Sequence, residues 1–351
     1  MPAPDPGGLG LILPTFPQQR AELPSASALA DLCRRAEAGG AEALWVCDHI
    51  FWHGPALEAL SSLGVAVAAT QRATIGTCIL QLPLRHAPTV AKEAAALAHL
   101  SGGRLVLGVG VGAHPGEYAA AGVPFAGRGR ALDQGIDTLR RAWSASPDQR
   151  YVQLPSPHRV PVWVGGSSEA ALRRAGRRGD GWIPLFVSPG EYGPAMGRLD
   201  KEAERAGRDP RVVARAAVVF VSVGGSDAED RGLAWMASLY GLAARSFVRH
   251  LVAGSARSCA DSIARFTEAG ARHVAVFVTS DDPLVQFEDL AGEYAGLVAS
   301  SASPRRRRPG SIEPVWLTAH HGSPDMTRRA VRVGQGASTP GTTPVQDQVW
   351  R

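Results

Sequence analysis

The sequence predicts an α/β fold, and within that class a closed (β/α)8 TIM barrel, from three observations. Eight apolar runs with strand character alternate with segments of helical spacing along the first 300 residues. The runs are apolar almost throughout, as in parallel strands that are buried on both faces. The chain of 351 residues is long enough for such a barrel in a single domain. Eight repeats favour the closed barrel over an open doubly wound sheet.

The predicted strands follow one another at regular intervals along the chain. The second ends directly before Asp48 and His49, and the fourth runs into a glycine-rich segment. The sixth is short and contains Pro184, which makes it the weakest of the set. The eight runs are 9–13, 43–47, 74–80, 104–109, 161–165, 181–185, 213–223 and 273–278.

Helices are predicted between the strands because apolar residues recur there on one face. Glycine pairs at 39–40 and 102–103, and Gly270, close three of them as C-cap residues. The last helix is expected over 283–299. The three clearest faces are Leu29, Leu32, Cys33 and Ala36; Val90, Ala94, Leu97 and Ala98; and Leu132, Ile136, Leu139 and Trp143.

The domain organisation follows from a change of composition at residue 300. Residues 1–300 contain the complete barrel, whereas 301–351 begin with SASPRRRRPGS and continue as a low-complexity segment. We expect this tail to be largely disordered and interpret Arg305–Arg308 as a solvated charge run.

The net charge of +5 resides in the tail. Eight of the 37 basic and three of the 32 acidic residues lie in 301–351, which leaves 29 of each in residues 1–300. A neutral body predicts no nucleic-acid partner. We expect no membrane association and a cytoplasmic location, because neither a membrane-length apolar run nor a secretory signal is visible.

The four cysteines are scattered, without the paired spacing of a metal site. No metal and no disulfide framework is predicted. Cys33, Cys47 and Cys259 fall in helix or strand patterns and are interpreted as small buried apolar residues.

The pair Asp48-His49 is the first candidate for chemistry. Catalytic groups of a barrel sit at the C-terminal ends of its strands, and a carboxylate beside an imidazole can orient a substrate or handle a proton. The alternative is that Asp48 caps the next turn and that the backbone satisfies His49. Trp52 and His53 lie just beyond and are candidates for a wall of the same pocket.

Two glycine segments are candidates for cofactor contacts. Glycines 108, 110 and 112 resemble a dinucleotide fingerprint, but a Pro115-Gly116 turn is expected where that motif needs a helix. They are better explained as space for a planar cofactor. The turn 165–168 (GGSS) lies between a strand and a helix and favours a phosphate site, although Ser168 is equally suited to a simple N-cap.

Glu117, Arg128 and Arg130 flank the loop after the fourth strand. A structural salt bridge within this loop is the default interpretation.

Four segments, in this order, resemble the bacterial luciferase-like monooxygenase superfamily and most closely its deazaflavin (coenzyme F420) oxidoreductase branch. The resemblance covers about residues 9–297, and LSGGRLVLGVGVG is its most specific part. The segments are WVCDHIFW, ATIGTCILQLPLRHAPTVAKEAAALAHLSGGRLVLGVGVG, GVPFAGRGRALDQGIDTLRRAW and PVWVGGSSEAALRRAGRRGDGWIP.

The resemblance implies a barrel that holds a flavin or deazaflavin at its C-terminal mouth. It assigns Asp48 and His49 to the surroundings of the reactive ring, with His49 in proton transfer. It also implies a cis peptide at Cys78–Ile79 behind the ring. The implied cofactor-binding residues are Cys78, Ile79, Gly110, Gly112, Gly165, Gly166 and Ser167.

One departure from the pattern concerns the acid of some deazaflavin-dependent dehydrogenases. Their glutamate directly after the strand-four glycines is replaced here by Ala113-His114, and Glu117 follows four residues later. Sugar-phosphate dehydrogenase chemistry is therefore in doubt, and His114 is a candidate substitute acid.

The leading hypothesis is a hydride-transfer oxidoreductase that uses F420, with His49 tuned by Asp48 and a small organic substrate at the mouth. The alternatives are a two-component FMN monooxygenase that uses oxygen and a partner reductase, and a non-catalytic barrel that binds a cofactor or RNA. A homodimer is expected by analogy. The expected pocket walls are segments 51–56, 113–127, 186–192 and the region around 240–256.

Overall fold

The computed structural model describes residues 6–16, 22–52, 54–144, 158–280 and 282–302. The strands in this part of the chain are β1 Leu9–Ile12, β2 Ala43–Val46, β3 Thr74–Thr77, β4 Leu80–Gln81, β5 Leu105–Gly110, β6 Val162–Gly165, β7 Gly181–Ile183, β8 Ala214–Val223, β9 Leu251–Gly254 and β10 His273–Val278. The α-helices are α1 Ala26–Ala38, α2 Ala59–Ala69, α3 Ala87–Leu100, α4 Pro115–Ala120, α5 Arg128–Trp143, α6 Glu169–Arg178, α7 Pro189–Arg205, α8 Ala228–Tyr240, α9 Ala256–Glu268 and α10 Pro283–Ala302.

The sheet closes into a barrel of eight parallel strands. Its order is β10-β1-β2-β3-β5-β6-β7-β8, and β8 pairs with β10 to complete the ring. Leu9 lies beside Val274 at one side of β10, and Phe220 lies beside Phe277 at the other. The two remaining strands are additions to this ring, since β4 pairs with β5 and β9 with the end of β8. The predicted (β/α)8 fold is confirmed.

Two apolar layers explain why these segments fold together. One cluster lies between the strands and the surrounding helices, and the other fills the inside of the barrel. The predicted helix faces are buried, for example Leu29 on α1 and Leu132 and Leu139 on α5. Each such leucine contributes about 1.5–3 kcal/mol relative to an exposed position.

The floor of the barrel is filled by tryptophan and histidine. The Trp45 and Trp163 rings lie 5.4 Å apart between centroids. Trp45 Nε1 donates to His273 Nε2 at 2.9 Å, and His273 Nδ1 donates to the Gly7 carbonyl at 2.9 Å. Gly76 must be glycine because a side chain there would collide with the Trp45 ring. This end of the barrel is therefore packed.

Several predicted boundaries change for local reasons. The run 74–80 is divided into β3 and β4 at the Cys78–Ile79 bond, and the run 181–185 ends at Ile183 because Pro184 has no N–H to donate. Pro115-Gly116 is not a turn but the start of α4, where a proline fits the first helical position. The sequence analysis did not predict β9.

The last helix runs to Ala302, three residues beyond the predicted end. The tail predicted as disordered otherwise lies outside the described residues. No helix in the described ranges is both long and apolar enough to cross a membrane.

Candidate active site

Asp48 lies two residues after the end of β2 and is held in a buried ionic contact. Its Oδ2 accepts from the Gln81 backbone N–H at 2.9 Å, and its Oδ1 accepts from Arg85 Nη2 at 2.5 Å. Arg85 also contacts Glu58 at 3.0 Å. Burial alone would lower the pKa of Arg85, but the two carboxylates outweigh it and raise the pKa. Asp48 thus anchors the segment Gln81–Arg85 to the end of β2.

The carboxylate that contacts the His49 ring belongs to Glu117, from helix α4. Glu117 Oε2 lies 3.0 Å from His49 Nδ1 and accepts from Gln81 Nε2 at 2.9 Å. Its Oε1 accepts from the backbone N–H groups of Ile50 and Phe51 at 2.5 and 3.1 Å. Burial would raise the pKa of Glu117, but these hydrogen bonds, led by that of His49, hold it below the ordinary value. Glu117 is therefore an ionised carboxylate inside the protein.

The hydrogen bonds of Gln81 fix the tautomer of His49. Gln81 Nε2 also lies 3.3 Å from His49 Nδ1, but its two hydrogens have closer acceptors, the Asp48 carbonyl at 3.1 Å and Glu117 Oε2 at 2.9 Å. The proton between His49 Nδ1 and Glu117 must then come from the imidazole, because a carboxylate only accepts. In the neutral ring, Nε2 carries the lone pair. The His49 side chain is 24% exposed, so this atom belongs to a ring that borders the mouth.

His114 adopts the opposite arrangement at the start of α4. Its Nδ1 accepts from the Glu117 backbone N–H at 3.2 Å and caps the helix. A neutral His114 therefore carries its hydrogen on Nε2. This residue is close to the site, since its ring lies 5.7 Å from that of Trp52.

The structure corrects the predicted salt bridge in the loop after the fourth strand. The Glu117 carboxylate turns inward to His49, Gln81 and the end of β2, while the Arg128 guanidinium lies over the Phe125 ring at 3.8 Å. Hydrogen-bond donors that follow β2, which are distant in sequence, satisfy the buried carboxylate in place of an arginine of its own loop.

The residues that the resemblance assigned behind the cofactor ring lie together. The Cys78–Ile79 peptide is cis, which confirms that prediction. The Ile79 side chain packs so closely on Gly110 and Gly165 that a Cβ at either position would approach it to 2.5 Å. Gly112 has φ +67 and lies against the Gln81 carboxamide, so a side chain there would also collide. Cys78 and Ile79 are both partly exposed and pack against the cluster that fills the barrel.

The glycine turn after β6 lies at the N-terminus of α6. Gly166 has φ +101, and Ser167 is exposed. Ser168 is the N-cap, and its hydroxyl accepts from the Ala171 N–H at 3.2 Å. The alternative interpretation of Ser168 is therefore correct. It leaves Ser167 and the helix N-terminus as the groups suited to an anion.

Aromatic residues connect the predicted pocket walls. The Trp52 ring stacks on His49 at 3.9 Å between centroids and meets the edge of Tyr240 at 6.1 Å. Phe186 lies 5.7 Å from Tyr240, so the segments predicted as walls do converge at the barrel mouth. The candidate His53 lies outside the described residues.

The four cysteines are free thiols in two different settings. Cys33 and Cys259 are buried, as predicted, while Cys47 joins Cys78 as a partly exposed residue beside the barrel interior. Burial raises the pKa of Cys47 to about 12, with a contribution from Asp48. Both Cys47 and Cys78 are neutral thiols at pH 7, because burial also raises the pKa of Cys78. In the described residues, no group of three His, Cys, Asp or Glu side chains is arranged to hold a metal ion.

The chain also matches a known protein family. The luciferase-like monooxygenase family model matches residues 9–249. The protein is a member of the luciferase-like monooxygenase family. The family resemblance of the strand-end motifs is thereby confirmed, and the site occupies the ends of strands within the matched range.

Curated relatives match part of this luciferase-like chain. An uncharacterized protein of Mycobacterium tuberculosis (strain ATCC 25618 / H37Rv) is 34% identical over 165 residues, which are 44% of this chain and 57% of that protein. The phthiodiolone/phenolphthiodiolone dimycocerosates ketoreductase of Mycobacterium kansasii is 27% identical over 228 residues, 54% of this chain and 62% of the ketoreductase. The chain thus spans less than two thirds of the length of these curated relatives.

Solved structures share the fold. An F420-dependent secondary alcohol dehydrogenase in complex with an F420-acetone adduct has a TM-score of 0.71 at 20% identity, covering 82% of this chain and 98% of that chain. The oxygenating constituent of the 3,6-diketocamphane monooxygenase of Pseudomonas putida, in complex with FMN, has a TM-score of 0.64 at 16% identity, covering 83% and 98%. One fold therefore accompanies two cofactors in these neighbours.

Sequence reasoning missed Gln81, Arg85 and the link from Glu117 to His49. The partners in that link are 68 positions apart, so local patterns could not reveal it. The available signal was the glutamate itself, an acidic residue shortly after the glycines of a buried strand.

Proposed function

We propose that this protein is an F420-dependent oxidoreductase, in which a hydride passes between the deazaflavin and a carbon of a small organic substrate. The observation that carries the proposal is the buried Glu117 carboxylate 3.0 Å from His49 Nδ1. This contact leaves Nε2 to exchange a proton with a substrate oxygen. Interconversion of an alcohol and a carbonyl needs such a group, because a proton moves at oxygen as the hydride moves at carbon.

The residues at the mouth fit a planar ring with a phosphorylated tail. The partly exposed pair Cys78 and Ile79 offers an apolar support, and Gly110 and Gly165 make room for the Ile79 side chain itself. Ser167 and the α6 N-terminus suit the phosphate. When bound, the deazaflavin supplies the two-electron redox chemistry.

The protein's own groups divide the remaining work. Glu117 orients His49, while Asp48 and Arg85 keep the segment after β4 in place. Trp52 covers one face of the His49 ring and limits the access of water to it. The names of two similar proteins, a ketoreductase and an F420-dependent secondary alcohol dehydrogenase, support this class of reaction.

The test is a fluorescence titration with F420 and, separately, with FMN. Trp45 and Trp163 are buried in the barrel floor, whereas Trp52 is partly exposed beside His49, so Trp52 should give most of the quenching. We expect preferential F420 binding and loss of most of the signal in Trp52→Phe. Preference for FMN, with oxygen consumption by the reduced flavin complex, would assign the protein to the monooxygenase reaction instead.

A further inference from the structure

A continuous aromatic surface leads away from the candidate proton-transfer residue. We call Trp52, Phe186 and Tyr240 the aromatic wall. All three are partly exposed, and the contacts Trp52–Tyr240 and Tyr240–Phe186 join them at 6.1 and 5.7 Å between centroids. Because Trp52 stacks on His49, the wall begins at the imidazole.

Buried rings hold the wall in place. Phe186 stacks on Phe220 at 5.6 Å and lies 6.1 Å from Phe247, and both of these residues are nearly inaccessible to solvent. Phe186 has φ 60, a left-handed backbone conformation that a bulky residue rarely adopts. Such outliers persist where the surroundings enforce them and concentrate at ligand sites. The position of this ring is therefore a feature of the mouth rather than of a flexible loop.

Charged groups near the wall are paired, and the histidine in contact with Phe186 is held neutral: His250 lies 5.1 Å from that ring, and burial lowers its pKa. Asp48 is bound to Arg85 and Glu117 to His49, and Arg249 contacts Glu191 at 3.0 Å. The thiols of Cys47 and Cys78, which border the same space, are neutral at pH 7. At the rim, Phe51, Leu242 and Val248 expose 50%, 36% and 51% of their surface. Apolar groups thus extend from the rim to the imidazole.

We propose that the substrate is a neutral, apolar alcohol or ketone whose hydrocarbon body packs on Trp52, Phe186 and Tyr240 while its oxygen meets His49. This inference rests on the proposed function and names its substrate class. A substrate with a carboxylate or phosphate would have to bury that charge against rings and thiols, which costs far more than burying a hydrocarbon group. In the oxidation direction, His49 would accept the alcohol O–H proton, and a bound deazaflavin would supply the acceptor for the carbon-bound hydride.

The test compares two ligands that share the reacting group and differ in charge. Binding of 4-methylcyclohexanol and of 4-hydroxycyclohexanecarboxylate to the full chain is measured from intrinsic tryptophan fluorescence, with and without saturating F420. We expect the neutral alcohol to bind at least about tenfold more tightly, since the carboxylate must be desolvated. Equal binding, tighter binding of the carboxylate, or no binding of the alcohol up to its solubility limit would overturn the inference.

A charge-introducing variant provides a second measurement. Tyr240→Lys puts a cation into the wall, and we expect it to weaken binding of the alcohol and strengthen that of the carboxylate. Leu100→Lys is the matched control, because Leu100 is 69% exposed at the end of α3, far from the mouth. Unchanged selectivity in folded Tyr240→Lys would contradict a substrate site on the wall. Failure of the proposed function would give a different result: the protein would not bind F420, whether or not either of the two ligands binds.

Discussion

Replacement of Glu117 by glutamine tests the centre of the candidate site. Glu117 accepts four hydrogen bonds, two at each oxygen: His49 and Gln81 at Oε2, and the Ile50 and Phe51 N–H groups at Oε1. In its best orientation the new amide keeps its oxygen on the Ile50 and Phe51 N–H groups and turns its NH2 group toward His49 and Gln81. His49 can then accept at Nδ1 in its other tautomer, whereas the Gln81 donor loses its acceptor. An unsatisfied buried donor costs about 1–3 kcal/mol, so Glu117→Gln should lower the free energy of unfolding by about that amount.

The same substitution should change the tautomer of His49. Without a carboxylate beside Nδ1, the preference for a hydrogen on Nδ1 weakens. Urea unfolding measures the first effect, and the ring ¹⁵N chemical shifts of His49 measure the second without any need for substrate. A proton-transfer role also predicts a loss of turnover of about 10²–10⁴-fold.

Glu293→Gln is the control for Glu117→Gln. Its carboxylate is 43% exposed and lies 3.6 Å from Arg257, and an exposed pair of this kind contributes less than about 1 kcal/mol. Two results together would contradict this prediction: a free energy of unfolding for Glu117→Gln equal to that of the control, and unchanged ¹⁵N chemical shifts of the His49 ring. Glu117 would then not determine which nitrogen of His49 carries the hydrogen.

Three further predictions concern other parts of the barrel. Burial lowers the pKa of His273 from 6.5 to about 4, so the unfolded chain takes up the proton first as the pH falls. Stability should therefore decline between about pH 6.5 and 4, by about 3 kcal/mol in all, and chemical unfolding of His273→Phe should lack this part of the slope. Arg85→Met leaves Asp48 buried without its cation and should cost about 3–5 kcal/mol of unfolding free energy; a cost below about 1 kcal/mol would contradict the buried pair. Ser168→Ala removes the α6 cap and should cost about 1 kcal/mol, and a thermal shift of zero would show that the cap contributes nothing.

The barrel was predictable because its strands are buried on both faces and are therefore almost continuously apolar. The same property located Asp48 and His49, since polar residues directly after such a strand stand out. The cis bond at Cys78–Ile79 came from the family resemblance and not from the composition of that segment.

Other features depend on contacts that no local pattern contains. The link between Glu117 and His49 requires the ends of β2 and β5 to meet at one height, which the stagger of the barrel determines. The left-handed conformation of Phe186 is imposed by rings from β8 and from the segment after α8. The short strand β9 was missed because four residues give too little periodicity to identify a strand.

Glu117 forms hydrogen bonds with two imidazole rings, one through its side chain and the other through its backbone N–H. Its side chain accepts from His49, and its backbone N–H donates to His114. One neutral histidine is consequently left with a lone pair on Nε2 and the other with a hydrogen there, although both have the same intrinsic chemistry. A single residue thus gives the two rings complementary hydrogen-bonding polarity.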